Sequence, residues 1–179
     1  MKIRLMKILT AIIFGFICVS AKCQTNRITG AFGFTLGAKL DGQMAPASKT
    51  TDGEPMYEIV PKNAHEYFNE YYVMVTPATH QIYCIWAIGP EMDVPKAKIQ
   101  EDVVFNALTN KYGRGEEQGI IDTFSDQKHI DQGNRAVFVN VTGLTTGQLN
   151  LKYIDADLQK KARDVEVELE SKNKNNSGL

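Results

Sequence analysis

The run Ile82-Tyr83-Cys84-Ile85-Trp86-Ala87-Ile88 constrains this chain more than any other stretch. Successive side chains of a strand point to opposite faces, so Ile82, Cys84, Trp86 and Ile88 share one face and Tyr83, Ile85 and Ala87 the other. Both faces are apolar, and such a strand belongs in the middle of a sheet with cover on each side. Just before it, Tyr71, Val73 and Val75 alternate with Tyr72 and Met74. Pro77-Ala78-Thr79-His80 between the two runs reads as a hairpin turn, because proline fixes φ and cannot extend the ladder.

Other elements group around this hairpin. Phe32, Phe34 and Leu36 alternate with Gly33 and Thr35 as in a strand. Gly37 to Pro55 lacks apolar periodicity and reads as a long surface loop, a length that compact domains reserve for function or mobility. Met56 to Val60 is a short strand before Pro61, and Asn63 to Asn69 an irregular crossing or a single helical turn. Pro95 to Tyr112 carries Ile99, Val103, Val104, Ala107, Leu108 and Tyr112 at helical spacing. Asp93 is placed to cap that helix and Gly113 to stop it. Gly119 to Phe124 is a further short strand. Arg135 to Thr142 puts Val137, Val139 and Val141 on one face. Gln148 to Ile154 points Leu149, Leu151 and Tyr153 inward and Gln148, Asn150 and Lys152 outward, with Gly143 to Gly147 as the hairpin loop between them. A last helix starts at Asp155, with Leu158, Ala162, Val165 and Leu169 on its apolar stripe. This order predicts an α+β fold: a mostly antiparallel sheet of about six or seven strands with two helices packed on one face.

The first residues read differently. Lys2, Arg4 and Lys7 precede an apolar run from Ile8 to Val19, and Val19-Ser20-Ala21 puts small side chains where a signal peptidase cuts. That is the grammar of a bacterial secretory leader, and the run is too short to span a bilayer, which needs roughly 20 residues. The expected organisation is a leader over 1–21, one domain over 22–170 and a disordered polar tail over 171–179, in a periplasmic or secreted protein. An oxidising compartment would permit a disulfide between Cys23 and Cys84.

Charge and motifs exclude more than they assign. The chain has 20 basic and 21 acidic side chains, and a leader carrying three of the bases leaves the remainder mildly acidic. That is not the footprint of a nucleic-acid binder. His65-Glu66-Tyr67-Phe68-Asn69 approaches the zinc-protease pattern, but Asn69 stands where the second histidine must be. Asp122, Asp126 and Asp131 lack the spacing of a calcium loop. Gly33, Gly37 and Gly42 form no phosphate-binding fingerprint, and Gly113-Arg114-Gly115 reads as a helix stop and turn. No catalytic residue, metal ligand or cofactor is assigned.

What stands out is the concentration of aromatics between Tyr67 and Trp86. Tyrosine and tryptophan suit binding surfaces because each offers a large area with a polar tip. Most of these rings belong in the core. Tyr67, Tyr71, Tyr72 and His80 are the candidate binding residues, with the Gly37 to Pro55 loop as a rim. The expected function is a small exported binding or inhibitor-type protein that recognises a protein or envelope component. Two alternatives are a structural or assembly component of the envelope, and a small periplasmic hydrolase using His65, Glu66 or His80.

Overall fold

In the computed structural model, the Ile82–Ile88 strand lies mid-sheet, and the rest of the fold is arranged about it. The structure describes residues 26–40, 42, 45–51, 53–114 and 127–176. The expected leader, Cys23, the Gly119 to Phe124 strand, Asp122, Asp126 and the Leu169 side chain lie outside the described residues.

The strands are β1 (Gly30–Ala31), β2 (Phe34–Thr35), β3 (Ser48–Lys49), β4 (Pro55–Glu58), β5 (Glu70–Val75), β6 (Ile82–Ile88), β7 (Met92–Asp93), β8 (Lys128–Gln132), β9 (Arg135–Thr142) and β10 (Thr146–Asp155). Helix α1 is Val94–Tyr112, and α2 is Ala156–Asn176. The main sheet runs β3-β4-β5-β6-β10-β9-β8, with β7 paired to the start of β10, and every pairing is antiparallel. This is an α+β fold. The Phe32 to Leu36 segment is not a strand of this sheet. It folds back as the β1–β2 ribbon, through Phe32 at φ 57° and Gly33 at φ 89°. Strand β8 arises where His129 and Asp131 gave no strand signal, because its polar residues pair with β9 across a tight turn.

The helices lie on opposite faces of the sheet, which corrects the expectation that they share one. Val104, Leu108 and Tyr112 of α1 cluster with Val73, Ile85, Ala87, Val139, Leu149, Leu151 and Tyr153. Leu158 and Ala162 of α2 cluster with Met56, Met74, Tyr83 and Cys84. The physical reason lies in β6: a central strand apolar on both sides needs cover on both. The ribbon completes the α1 face. Its Phe32 ring stands edge-on to Tyr71 at 4.9 Å, to Phe68 at 6.1 Å and to Tyr153 at 6.4 Å.

Two local expectations also change. The buried stripe of α1 is Ala97, Glu101, Val104, Leu108 and Tyr112, whereas Ile99 and Val103 are 65% and 48% exposed. Asp93 makes no side-chain cap to α1; its backbone pairs with Thr146 instead. Asp155 does cap α2, its Oδ1 accepting the Leu158 N–H at 3.2 Å. Helix α2 continues to Asn176, beyond Ser171 where the polar tail was expected to leave the fold. Lysine alternates with asparagine there, without a proline or glycine to break the helix.

Candidate functional site

Helix α2 covers only part of its face. It lies over Met74, Cys84 and Ile154, which are cross-strand partners on β5, β6 and β10. The next row along the strands is left half-exposed. There Glu58 pairs with Tyr72, Tyr72 with Trp86, Trp86 with Lys152, Lys152 with Phe138, and Phe138 with His129. Each pair is directly opposed, so the row crosses β4, β5, β6, β10, β9 and β8 without a step. At about 4.8 Å between strands it is roughly 24 Å long.

Its members hold one another. The Lys152 ammonium sits 3.8 Å from the centroid of the Trp86 ring. Trp86 donates its indole N–H to Asn150 Oδ1 at 3.0 Å, and Asn150 in turn donates to Thr142 Oγ1 at 3.0 Å. His129 stacks on Phe138 with ring centroids 5.8 Å apart and planes at 24°, and its Nε2 lies 3.3 Å from Asp131 Oδ2. The Tyr72 hydroxyl donates to Glu70 Oε2 at 3.0 Å. Partial burial first, and then the Glu70 and Glu58 carboxylates, raise its pKa above the ordinary tyrosine value. Cross-strand pairs of this kind each contribute about 0.2–1 kcal/mol, and together they fix the side chains as a preset surface. Such a surface loses little conformational freedom when something binds it.

The four residues singled out from sequence do not form one site. Tyr71 and Tyr72 are adjacent in a strand and so face opposite ways. Tyr71 is buried: its hydroxyl accepts the His65 N–H at 2.9 Å and lies 3.2 Å from the His65 and Phe68 carbonyls. It pins the Asn63 to Asn69 crossing, which forms no helix. Tyr67 is half-buried beside His65, with ring centroids 5.1 Å apart. His80 lies beyond the other end of β5, so roughly 20 Å of strand separates it from His65. The structure does not bring the two histidines together. Of the four, only Tyr72 belongs to the row.

His80 lines a cleft of about 770 Å³ with Lys39, Leu40, Tyr57, Ala78 and Thr79. Its backbone is held at φ 52° by its own N–H to the Thr76 carbonyl and by the Leu40 N–H to its carbonyl. A larger cleft of about 880 Å³ lies between Arg27, Tyr112, Arg114 and the β8–β9 turn. Its central polar groups are already used. Gln132 accepts the Ile28 N–H and donates to the Tyr112 carbonyl, while Arg135 binds Asp155 and the carbonyls of Ile28 and Leu36.

Cys84 is a free thiol buried in the α2 layer, and burial pushes it up to about 12. Its neighbour Tyr83 is raised above the ordinary tyrosine range by burial and by nearby Glu54 and Glu166. Among the described residues, no cluster of His, Cys, Asp and Glu is placed to hold a metal ion. Also among them, no helix is long and apolar enough to cross a membrane.

Sequence reasoning missed Trp86, Phe138, Lys152 and His129 as site residues. Alternation already put Lys152 on the outward face of its strand and Phe138 opposite the Val137 face. What joins them to Trp86 is the β6–β10 pairing, a contact between segments more than sixty residues apart. Compared with family models, curated proteins and solved structures, the chain matches none of them.

Proposed function

We propose that this chain is a small exported binding module, of an inhibitor or adaptor type, whose recognition surface is the half-exposed row from Tyr72 to His129. The observation that carries the reading is the unequal cover of the two faces. Helix α1 and the ribbon seal one face, while α2 leaves an in-register row of three aromatic side chains and a lysine open on the other. Aromatic rings with polar tips, fixed in place beforehand, are the side chains that carry most binding energy at protein interfaces. The opening residues support export, which makes a protein or another component of the cell envelope the expected partner. The His80 cleft, on the turn at the end of the same hairpin, is a second contact point.

The test is retention of envelope components on immobilised protein. Wild type is expected to retain a component that a Tyr72→Ser/Phe138→Ser variant loses by at least tenfold, with His80→Ala giving a smaller loss. Equal retention by wild type and the double variant, with both folded by circular dichroism, would remove the row from the function.

A further inference from the structure

The main sheet ends at β8, and the hairpin geometry fixes what that edge offers. Gln132 and Arg135 close a tight turn through Gly133 and Asn134, with Gly133 at φ 65°. In a two-residue hairpin the closing pair is hydrogen-bonded, and hydrogen-bonded and open pairs then alternate. Gln132, Ile130 and Lys128 therefore spend their backbone groups on β9. The backbone N–H and C=O groups of His129 and Asp131 point away from the sheet. Among the described residues, no backbone hydrogen bond reaches those outward groups.

The geometry points to this edge as a docking strand for a second copy of the same chain. In an antiparallel two-fold pairing, outward-facing residues must meet outward-facing residues. Three registers do that using only the outward residues of this strand. One sets His129 against His129, one sets Asp131 against Asp131, and one sets His129 against Asp131. The first two oppose identical polar side chains. The third places the dyad at Ile130, sets each His129 against the second copy's Asp131 through four backbone hydrogen bonds, and sets Lys128 against Gln132. No like charges are opposed, and each imidazole, which can donate a hydrogen bond, faces a carboxylate, which accepts one. Hydrogen-bond complementarity thus selects both the partner and the register. The pairing is isologous, as closed two-fold dimers require. It also brings the two recognition rows together, because His129 ends the row in each copy. A ladder of five residues a side is short of the roughly 1,000 Å² that a stable interface buries, so the dimer is reversible and concentration-dependent. The edge shares His129 with the row, but its test reads self-association whereas the row's test reads retention of envelope components, so each stands or falls alone.

Sedimentation velocity on the protein in the form the cell accumulates tests it over a hundredfold concentration range. Wild type is expected to shift from monomer to dimer. Asp131→Pro deletes one outward N–H and no bond to β9, a position where an edge strand tolerates proline; it is expected to weaken the dimer at least tenfold. His129→Asp opposes like charges and is expected to do the same, and the H129D/D131H exchange to restore association. A wild type that stays monomeric throughout would overturn the assignment. So would a dimer that survives His129→Asp, or one that the exchange does not restore. His129→Asp and the exchange decide the matter if the proline variant does not fold.

Discussion

Glu101 is the residue of α1 that most departs from its type. Its side chain is 1% exposed, yet it is a carboxylate on a helix that packs against the sheet. Two ammonium groups compensate it, Lys128 Nζ at 3.2 Å and Lys98 Nζ at 3.4 Å, and Lys128 also pairs with Asp102. A buried ion pair is costly to break and cheap to replace with apolar volume. Glu101→Ala is therefore expected to cost about 2–3 kcal/mol and Glu101→Met about 1 kcal/mol or less, read from urea unfolding. The same cluster gives a pH dependence. Burial pulls the Lys128 pKa down, but hydrogen bonds and charge from Asp102 and Glu101 more than offset it, so the folded value lies above the ordinary 10.5. A raised value means the charged lysine stabilises the fold fully below pH 10.5, and that contribution is lost as the pH climbs through the folded value. Wild type should lose stability over that alkaline window faster than Lys128→Met. Cys84 makes a third residue-scale case. With its thiol buried and pushed up to about 12, almost no thiolate exists near neutrality. In a chain whose other cysteines are serine, a disulfide reagent at pH 8 should label Cys84 roughly 100-fold slower when folded than in urea.

At the scale of the element, α1 shows what sequence periodicity resolves and what it leaves open. Its span was legible almost to the residue, because Pro95 favours a start and the Gly113 N–H closes the last turn onto the Thr109 carbonyl at 2.8 Å. Its orientation was less so. Ile99, Val103, Val104, Ala107 and Leu108 make a plausible stripe, but the face that packs is Ala97, Glu101, Val104, Leu108 and Tyr112, also at helical spacing, with Lys128 compensating Glu101, and Ile99 and Val103 face solvent. Leu108→Ala should cost about 2–4 kcal/mol. Ile99→Gln and Val103→Gln should each stay within about 0.5 kcal/mol, since neither side chain leaves the solvent. The strands divide in the same way. Arg135–Thr142 was readable from its alternating valines, and β10 from its leucines. Strand β8 was not, because Lys-His-Ile-Asp-Gln carries one apolar residue, and its strand character comes from pairing with β9.

At the scale of the whole molecule, the two-sided β6 strand determines the layering. A centre that is apolar on both faces required two covers, and the chain supplies one complete cover and one partial cover. The class of the fold was visible in the order of its elements. The site was not, because a row that joins Tyr72, Trp86, Lys152, Phe138 and His129 exists only after strands distant in sequence are in register. Trp86 lies within that row and is the chain's single tryptophan. Protein labelled with 5-fluorotryptophan therefore gives one fluorine resonance, from the surface proposed to bind. Titration with an unlabelled envelope fraction, with binding followed separately by sedimentation, is the most direct test. The expected result is a shift or broadening of that resonance as the protein binds, reversed by excess unlabelled protein. A sharp resonance, unmoved while the protein is fully bound, would contradict the account.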